Sequence, residues 1–288
     1  MSNKITGQTR LICLLGSPVS HSISPAMHNE AFQHFGLDFA YMAFETNTDT
    51  LASTVATLKN INARGFNLTM PNKTKMVELC DHLSLAASIS ESVNTVVNDN
   101  GVLTGYTTDG VGFINAAKNA GFDLIGKKLV LLGAGGASTA IMVQAALDGV
   151  AEITVFSRRS GSYAHANKII MRLKEHTTCR IQLYDYSDLS LLKDAIDASD
   201  ILVNGTNVGM SPNCDDCVIP DESYFHKGLI VSDIIYNPRE TKLLSMAKSC
   251  GCHTFNGMYM LLYQGAEAFK LWTGKEMPIE LIKQNFFN

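Results

Sequence analysis

The fold class is decided by the stretch Lys128-Leu-Val-Leu-Leu-Gly-Ala-Gly-Gly-Ala-Ser-Thr-Ala140, in which an apolar strand pattern leads into a glycine-rich turn and then a helix. Gly133 permits a tight turn, and Gly135 and Gly136 allow the backbone to approach a pyrophosphate group. The first N–H groups of the following helix have no partner within the helix, so they face the anion. The stretch therefore predicts a dinucleotide-binding unit, although the generic pattern has a glycine where this chain has Ser138; a purely structural turn is the alternative.

The next strand pattern on the carboxyl side ends in Phe156-Ser157-Arg158-Arg159. At this point of a dinucleotide-binding unit, a carboxylate binds the ribose 2′-hydroxyl of NAD, whereas an arginine accommodates the 2′-phosphate of NADP. Because no acidic residue stands here, the pattern favours NADP and leaves NAD as the alternative. A pair of solvated loop arginines is the competing structural interpretation.

Further from the turn, strand and helix patterns alternate along most of the chain, which is typical of parallel α/β sheets. The helix that begins at Ser24 is expected to have this residue as its cap, with Pro25 in its first turn. A second unit is expected to begin near Asp109, so we predict domains at residues 1–108, 109–250 and 251–288. The sequence predicts strands at residues 11–16, 41–45, 65–69, 128–132, 153–157, 181–184, 201–204 and 229–233, and helices at residues 24–35, 48–60, 73–83, 113–120, 137–147, 165–176, 190–198 and 258–273.

Composition limits the classes of protein to which this chain can belong. Its 288 residues are 46% hydrophobic, which is enough for the cores of two domains. A net charge of −4 provides no positive field to attract nucleic acid or an anionic membrane, so neither partner is expected. The uncharged stretch at residues 129–147 has glycines near its start, which favours strand, turn and helix over a membrane span.

Cysteine usage bears on both the compartment and the question of a metal. Seven irregularly spaced cysteines, and a first stretch without a secretory pattern, lead us to expect a reducing cytoplasm. Cys214-Asp-Asp-Cys217 has the ligand spacing of a zinc site, but Cys250-Gly-Cys252-His253 is a poorer partner. The two clusters also fall on separate parts of the strand–helix pattern, so we expect no metal.

Four segments carry short polar side chains next to potential acid–base groups. They read Gly16-Ser-Pro-Val-Ser-His-Ser-Ile-Ser-Pro-Ala-Met-His-Asn29, Asn67-Leu-Thr-Met-Pro-Asn-Lys73, Ser92-Val-Asn-Thr-Val-Val97 with Gly105-Tyr-Thr-Thr-Asp-Gly-Val-Gly-Phe113, and Asn256-Gly-Met-Tyr-Met-Leu-Leu-Tyr-Gln-Gly-Ala266. In combination they resemble the shikimate dehydrogenase family, and the pattern is also similar to its quinate/shikimate dehydrogenase branch. The resemblance extends from about residue 11 to about residue 275 and includes Asn204-Gly-Thr-Asn-Val-Gly-Met210 and Asp233-Ile-Ile-Tyr-Asn-Pro238.

This resemblance implies an α/β fold with an N-terminal α/β substrate domain, a Rossmann-type dinucleotide-binding domain, and C-terminal helices that return to the first domain. It implies the reversible NAD(P)-dependent reduction of 3-dehydroshikimate to shikimate, a step of aromatic amino acid biosynthesis. NADP is the expected cofactor, with NAD as the alternative. Quinate is a candidate second substrate, and a monomer or homodimer is expected.

The resemblance also implies roles for individual residues. Lys73 and Asp109 correspond to the proton-transfer pair, and Ser22 and Ser24 to the residues that bind the substrate carboxylate. The ring hydroxyls are assigned to Thr69, Asn94 and Gln264, with Tyr236 nearby, and the cofactor to Gly133, Ala134, Gly135, Gly136, Ala137, Arg158, Gly257 and Met260. The chain departs from the family pattern at Thr107, where asparagine is usual, and in the cofactor loop at Ser157 and Ser160.

The chemistry is consistent with these assignments. Hydride reduction of a ketone leaves negative charge on oxygen, and a protonated lysine can supply the required proton while a carboxylate orients it. Without the family, however, Lys73 and Asp109 are a surface lysine and a turn aspartate, and Ser22 and Ser24 are helix caps. His21 and His28 are interpreted as packing or hydrogen-bonding residues.

Two other functional classes remain as alternatives at this point. One is a dehydrogenase of the same two-domain plan that acts on a folate or amino-acid substrate, against which the Ser22, Ser24 and Lys73 segments argue. The other is a non-catalytic dinucleotide-sensing module, which needs no Lys73–Asp109 pair.

Overall fold

The computed structural model describes residues 5–287, and the chain divides into two compact units. The first unit comprises the chain up to Thr108 together with the stretch from Gln264 onward, and the second is Asp109–Tyr263. The first division lies between Thr108 and Asp109, and the roles predicted for the domains stay predictions. The α/β class with a Rossmann-type unit is confirmed, since each unit has a six-stranded sheet with helices.

The sheet of the first unit has the order β2-β1-β3-β5-β6-β4. Its parallel half consists of β1 (Arg10–Gly16), β2 (Phe39–Glu45) and β3 (Gly65–Leu68). The antiparallel pair β5 (Thr95–Asp99) and β6 (Val102–Tyr106) continues it, and β4 (His82–Leu83) pairs with β6. The middle of β1 is buried throughout, because both faces of a parallel strand are covered by other elements.

Helices cover this sheet through amphipathic faces. α2 (Thr48–Asn60) is capped by the side chain of Asn47, which accepts the N–H groups of Asp49 and Thr50, and it buries Leu51, Val55 and Leu58. α1 (Ser24–His34) buries Met27, Ala31 and Phe32. The remaining helical elements of this unit are a 3-10 helix at Lys75–Leu79, α3 (Leu85–Ser90), the last residues of α9 (Met258–Thr273), and α10 (Ile279–Phe286).

The second unit has a parallel sheet in the order β12-β11-β10-β7-β8-β9. Its core combines strand and helix residues such as Leu132, Phe156, Leu202 and Leu243. The strands are β7 (Lys128–Leu132), β8 (Glu152–Ser157), β9 (Arg180–Asp185), β10 (Ile201–Asn204), β11 (Ile230–Asp233) and β12 (His253–Asn256), and the helices are α4 (Asp109–Asn119), α5 (Gly136–Leu147), α6 (Gly161–Leu173), α7 (Leu189–Asp197), α8 (Lys242–Ser249), the first residues of α9, and a 3-10 turn at Glu222–Tyr224.

Two sequence predictions about elements and domain bounds need correction. The helix expected at residues 73–83 is a 3-10 helix followed by the short strand β4. The expected boundary between residues 250 and 251 is too early, because β12 pairs with β11 and α9 joins the first unit only from Gln264.

Within residues 5–287, no helix is long and apolar enough to cross a membrane, and no group of three His, Cys, Asp or Glu side chains is arranged to hold a metal.

Candidate active site

Several predicted site residues meet at one edge of the first sheet. β1 and β3 run parallel, with Leu15 opposite Leu68, so the segments after both strands leave at the same edge. β5 is antiparallel to β3, which places Asn94, the residue before β5, at that edge as well. The carboxyl end of β6 also reaches it, since Thr95 pairs with Tyr106. The register therefore brings the segments of Ser22, Thr69, Lys73 and Asn94 together.

The loop after β1 carries the two serines. Ser22 is half-buried and its hydroxyl accepts the N–H of Ser24 at 3.3 Å, while Ser24 is buried. Ser24 was expected to cap α1, but it is the first helical residue; Ile23 occupies the N-cap position, and no side chain among residues 5–287 caps the helix. The carboxylate of Glu45, at the end of β2, accepts the N–H of Val19 at 3.0 Å. This bond, followed by one with Ser17, lowers the pKa of Glu45, so an ionised carboxylate anchors the serine loop.

Thr69 and Lys73 lie in the turn after β3. The N–H of Thr69 donates to the carbonyl of Leu15, which ties the turn to the end of β1. Gly16 is required opposite it, because any Cβ there would overlap the Thr69 methyl group. The backbone carbonyl of Lys73 accepts the N–H of Val93 at 3.0 Å, and its side chain is half-buried. The backbone that carries the Lys73 side chain is therefore fixed by hydrogen bonds to β1, at Thr69, and to the segment before β5, at Lys73 itself.

A buried chain of polar side chains runs across this edge. A side-chain hydrogen bond links Ser24 to Tyr41, and the Tyr41 hydroxyl donates to Asn67 Oδ1 at 2.7 Å. The Asn67 amide donates to the carbonyl of Asn94 at 3.0 Å. Asn94 Oδ1 accepts the N–H of Thr108 at 2.8 Å, and its amide donates to the Thr108 hydroxyl at 3.0 Å. Asn94, predicted to bind substrate, therefore also fixes the residue before Asp109.

The remaining predicted residue of the first unit, Gln264, lies in α9 and is half-buried. Its neighbour Gly265 packs against α1, where an added Cβ would overlap Met27 and lie 3.5 Å from His28 Nε2. The His28 ring is fully buried and stacks on Tyr41 with 4.6 Å between ring centroids. Within residues 5–287 neither ring nitrogen of His28 has a hydrogen-bond partner. Burial lowers its pKa to about 3, so the ring is neutral and packs, as the sequence interpretation has it.

In the second unit, the glycine-rich turn fits the phosphates of a dinucleotide. Gly133 has φ +99°, which favours glycine, and its N–H donates to the carbonyl of Phe156. Gly135 and Gly136 are exposed, and an added Cβ on either would meet no atom within 4 Å, so the space in front of them is open. α5 begins at Gly136 without a side-chain cap, which leaves its first N–H groups free for an anion.

Ser138 explains how the turn works without the third glycine. Its hydroxyl donates to the carbonyl of Gly205 at 2.9 Å, and the residue is buried. Thr206, which follows, packs its methyl group against Gly133 and donates its hydroxyl to Asn204 Oδ1 at 2.7 Å. The serine thus links the first turn of α5 to the segment after β10, which a glycine cannot do.

The arginines after β8 lie in unequal surroundings. Arg158 is exposed, whereas Arg159 Nε donates to Asp185 Oδ2 at 2.8 Å and its guanidinium lies 5.5 Å from the centroid of the Tyr163 ring. Ser157, at the end of β8, is buried. The region therefore offers guanidinium groups for a 2′-phosphate.

Four further predicted residues lie elsewhere in this unit. Asp109 is the first residue of α4, and Met260 lies in the first turn of α9, both half-buried. Tyr236 is exposed at 48% after β11. Gly257 follows β12, and a side chain there would overlap the carbonyl of Ile234.

Sequence reasoning missed several residues that hold the site. Tyr41 and Asn67 form the buried polar chain, and Glu45 anchors the serine loop. Asp233 is fully buried at the end of β11, where it accepts hydrogen bonds from Asn204, Ile235 and Thr241. Desolvation raises the pKa of this carboxyl group. The available signal was a polar residue at the end of an apolar strand, which indicates a site only once the partners are known.

Comparisons with known proteins agree with this geometry. The family model of the shikimate dehydrogenase substrate binding domain matches residues 14–96, and that of the shikimate 5′-dehydrogenase C-terminal domain matches residues 257–284. The chain is 48% identical to a shikimate dehydrogenase (NADP+) of Listeria monocytogenes, with 100% of this chain and 99% of the relative covered. It is 46% identical to a quinate/shikimate dehydrogenase of Escherichia coli, with 97% of each covered.

A solved structure extends the agreement to three dimensions. The crystal structure of shikimate 5-dehydrogenase from Listeria monocytogenes in complex with shikimate and NAD has a TM-score of 0.95 at 48% identity, covering 99% of this chain and 98% of that one. Since sequence and fold agree along the whole chain, it belongs to the shikimate dehydrogenase family.

Proposed function

We propose that the chain catalyses the reversible NAD(P)-dependent reduction of 3-dehydroshikimate to shikimate, as an oxidoreductase of its family. One observation carries the proposal: short polar side chains and Lys73 share one edge of the first sheet, held by a buried hydrogen-bond chain. A polyhydroxylated ring acid needs such a set of short donors and acceptors. An apolar ligand does not, because it would leave those polar groups unpaired.

For the chemical step, the dinucleotide supplies the hydride when it is bound. Lys73 then passes a proton to the ketone oxygen, and Asp109 orients the ammonium group and compensates its charge. In the reverse direction, Lys73 takes the proton from the hydroxyl group of shikimate. The half-buried side chain of Lys73 and its fixed backbone support this role.

For substrate binding, Ser22 and Ser24 hold the carboxylate, and Thr69, Asn94 and Gln264 bind the ring hydroxyls, with Tyr236 beside them. Hydrogen bonds that are the same in ground and transition states lower KM without changing kcat. The engagement of Asn94 with Thr108 means that its substrate contact uses a side chain that is already oriented.

For the cofactor, the turn formed by Gly133, Ala134, Gly135, Gly136 and Ala137 holds the pyrophosphate. Arg158 binds the 2′-phosphate of NADP, and Gly257 and Met260 contact the cofactor as well. NADP is preferred and NAD is the alternative. The relatives support both, since one is named for NADP+ and another is solved with NAD.

Partners, oligomeric state and compartment complete the proposal. The small-molecule substrate is the partner, with neither nucleic acid nor a membrane, and the protein acts as a monomer or homodimer. The cytoplasm is the proposed compartment, which is supported by seven cysteines that are all free thiols. Quinate is a second candidate substrate, favoured by the 46% identity to a quinate/shikimate dehydrogenase.

A steady-state assay of shikimate and quinate, each with NAD+ and NADP+, tests the proposal. We expect turnover of shikimate, faster with NADP+ at subsaturating cofactor. Turnover of quinate alone would assign the chain to the second candidate. Absence of turnover with all four combinations, by protein that still binds a dinucleotide, would contradict the proposal and favour a sensing module.

A further inference from the structure

The carboxyl ends of β8 and β9 hold a charge arrangement that the reaction does not explain. β8 and β9 are parallel and in register, with Ser157 opposite Asp185. Arg159 crosses between them, since its Nε donates to Asp185 Oδ2 at 2.8 Å. Its guanidinium carbon lies 5.5 Å from the centroid of the Tyr163 ring, whose hydroxyl donates to the carbonyl of Leu183 at 3.2 Å. Arg159, which follows β8, is thus fixed against β9 through Asp185 and Tyr163.

The Asp185 carboxylate is fixed independently of the arginine. Its Oδ1 accepts the N–H and the hydroxyl of Ser187, each at 2.9 Å. These two bonds, followed by the hydrogen bond and charge of Arg159, lower the pKa of the carboxyl group. Asp185 therefore carries a full negative charge at neutral pH, beside the place where a 2′-phosphate would bind.

Arg158, by contrast, is exposed, and no side-chain hydrogen bond or ion pair of its guanidinium is found within residues 5–287. Adjacent arginines thus differ in electrostatic state: the charge of Arg158 is uncompensated, and that of Arg159 is balanced by Asp185. A guanidinium that is already paired with a carboxylate attracts a dianionic phosphate less than an unpaired one, because its Nε donor and its orientation are committed to that carboxylate.

We propose that Asp185 is a cofactor-specificity residue: by balancing Arg159, it leaves Arg158 as the main attraction for the 2′-phosphate and so moderates the preference for NADP over NAD. The inference rests on the proposed dinucleotide site but adds a residue from a different strand. A carboxylate on β9 takes over, in part, the discriminating role that an acidic residue at the end of β8 has in NAD-binding units. Removing its charge is expected to strengthen binding of the 2′-phosphate.

The test uses binding rather than turnover. Titration calorimetry of the whole protein with adenosine 2′,5′-bisphosphate and with adenosine 5′-monophosphate isolates the contribution of the 2′-phosphate. Asp185→Asn keeps the size and the acceptor for Ser187, so the fold should persist. We expect this substitution to lower the dissociation constant of adenosine 2′,5′-bisphosphate by about fivefold, the upper range for an exposed ion pair. The dissociation constant of adenosine 5′-monophosphate should stay within about twofold of the wild-type value. The gain should shrink as salt is raised.

The chain offers a matched control at the opposite ends of the same strands. Glu152 and Arg180 form an ion pair of 3.1 Å with 24% and 76% side-chain exposure, close to the 26% and 73% of Asp185 and Arg159. Glu152→Gln should leave both affinities unchanged. A double variant, Asp185→Asn with Arg159→Gln, should lose the gain of the single variant, because the gain acts through Arg159.

Several results would overturn the inference. One is unchanged or weaker bisphosphate binding by Asp185→Asn, and another is a gain that persists without Arg159 or arises equally in Glu152→Gln. These failures leave the proposed function intact, provided that the wild-type protein binds the bisphosphate and turns over shikimate. A wild-type protein that binds neither nucleotide would overturn the dinucleotide site and this inference with it.

Discussion

Lys73 lies in a turn that is tied to the sheet rather than on a free surface loop. Its carbonyl accepts the N–H of Val93, next to Asn94, and the turn begins at Thr69, which is bonded to β1. Fixed backbone on both sides limits the positions that the ammonium group can reach. This restriction is what a proton donor requires, since transfer depends on distance to the reacting oxygen.

We expect Lys73→Met to lower kcat by about 10²–10⁴-fold at saturating shikimate, the range of general acid–base contributions. Methionine keeps much of the stem, so the fold and cofactor affinity should persist. Asp109→Asn should also lower kcat, and the double variant should lose less than the product of both effects. Measurement of kcat together with the cofactor dissociation constant checks this.

Lys75→Met is the matched control, because Lys75 is two residues further on and pairs with Glu78 at 2.6 Å on the surface. It should leave kcat near the wild-type value. A Lys73→Met enzyme within a few-fold of wild type would show that the proton takes another route, with His21 as the next candidate.

A second prediction at the scale of residues concerns the hydroxyl group of Ser22. In the proposed site, its contact with the unreactive substrate carboxylate would be the same in the ground and transition states. Ser22→Ala should therefore raise KM for shikimate by about tenfold, the effect of losing a hydrogen bond to a charged group, with kcat and the KM of the cofactor close to wild type. Ser20→Ala, in the same loop but exposed, is the control. An unchanged KM for shikimate in Ser22→Ala would remove this residue from the carboxylate site.

At the scale of elements, the end of α9 is attached to the start of β3. Arg64 Nε donates to the carbonyl of Trp272 at 2.8 Å, and the Trp272 indole donates to the carbonyl of Val96 at 2.9 Å. Gly65 lies between these groups, and a Cβ there would overlap both the indole and the Val96 carbonyl. The helix therefore depends on the absence of a side chain at one strand position.

Gly65→Ala is expected to lower the free energy of unfolding by about 1–3 kcal/mol, the usual cost of overpacking a filled interior. Urea denaturation followed by tryptophan fluorescence suits the test, because Trp272 is the single tryptophan. Gly7→Ala serves as the control, since an added Cβ there meets no atom within 4 Å. Equal stability of both variants would mean that α9 can shift without loss.

At the scale of the whole molecule, buried His28 makes stability depend on pH. Burial lowers its pKa from 6.5 to about 3, so the folded state excludes the proton that the unfolded state binds. Its stabilising contribution is complete above pH 6.5 and is lost as pH falls towards 3. By this linkage, wild type should lose about 2 kcal/mol between pH 7.5 and pH 5 through His28 alone.

His28→Phe keeps an aromatic ring on Tyr41 and removes the titration. Its unfolding free energy should therefore change less between pH 7.5 and pH 5 than that of wild type, as urea denaturation at both values will measure. His34→Gln, which removes an exposed histidine of the same helix, should keep the wild-type dependence. The same dependence in His28→Phe would show that other groups cause the acid sensitivity.

Several features of this protein can be read from the sequence alone because they depend on neighbouring residues. The bounds of α2, β7, β10 and α9 agree with the sequence prediction, since hydrophobic periodicity, caps and glycine turns act within a few residues. The glycine-rich turn can be recognised from the sequence for the same reason. The family resemblance extended this to the activity, through short motifs in fixed order along the chain.

Only the tertiary structure decided which distant groups meet. β12 was not predicted, because its four residues His-Thr-Phe-Asn carry no apolar run and pair with β11, more than 20 residues earlier in the chain. The β5–β6 hairpin was missed although its turn, Asn100-Gly101, is a local signal. Tyr41 donates a hydrogen bond to Asn67, 26 residues further along the chain, and Arg159 donates one to Asp185, also 26 residues further along. Asp233 joins two strands and the start of α8. A buried polar group needs its hydrogen-bond partner, but its own sequence neighbourhood does not say which residue that is, so folding alone assigns it.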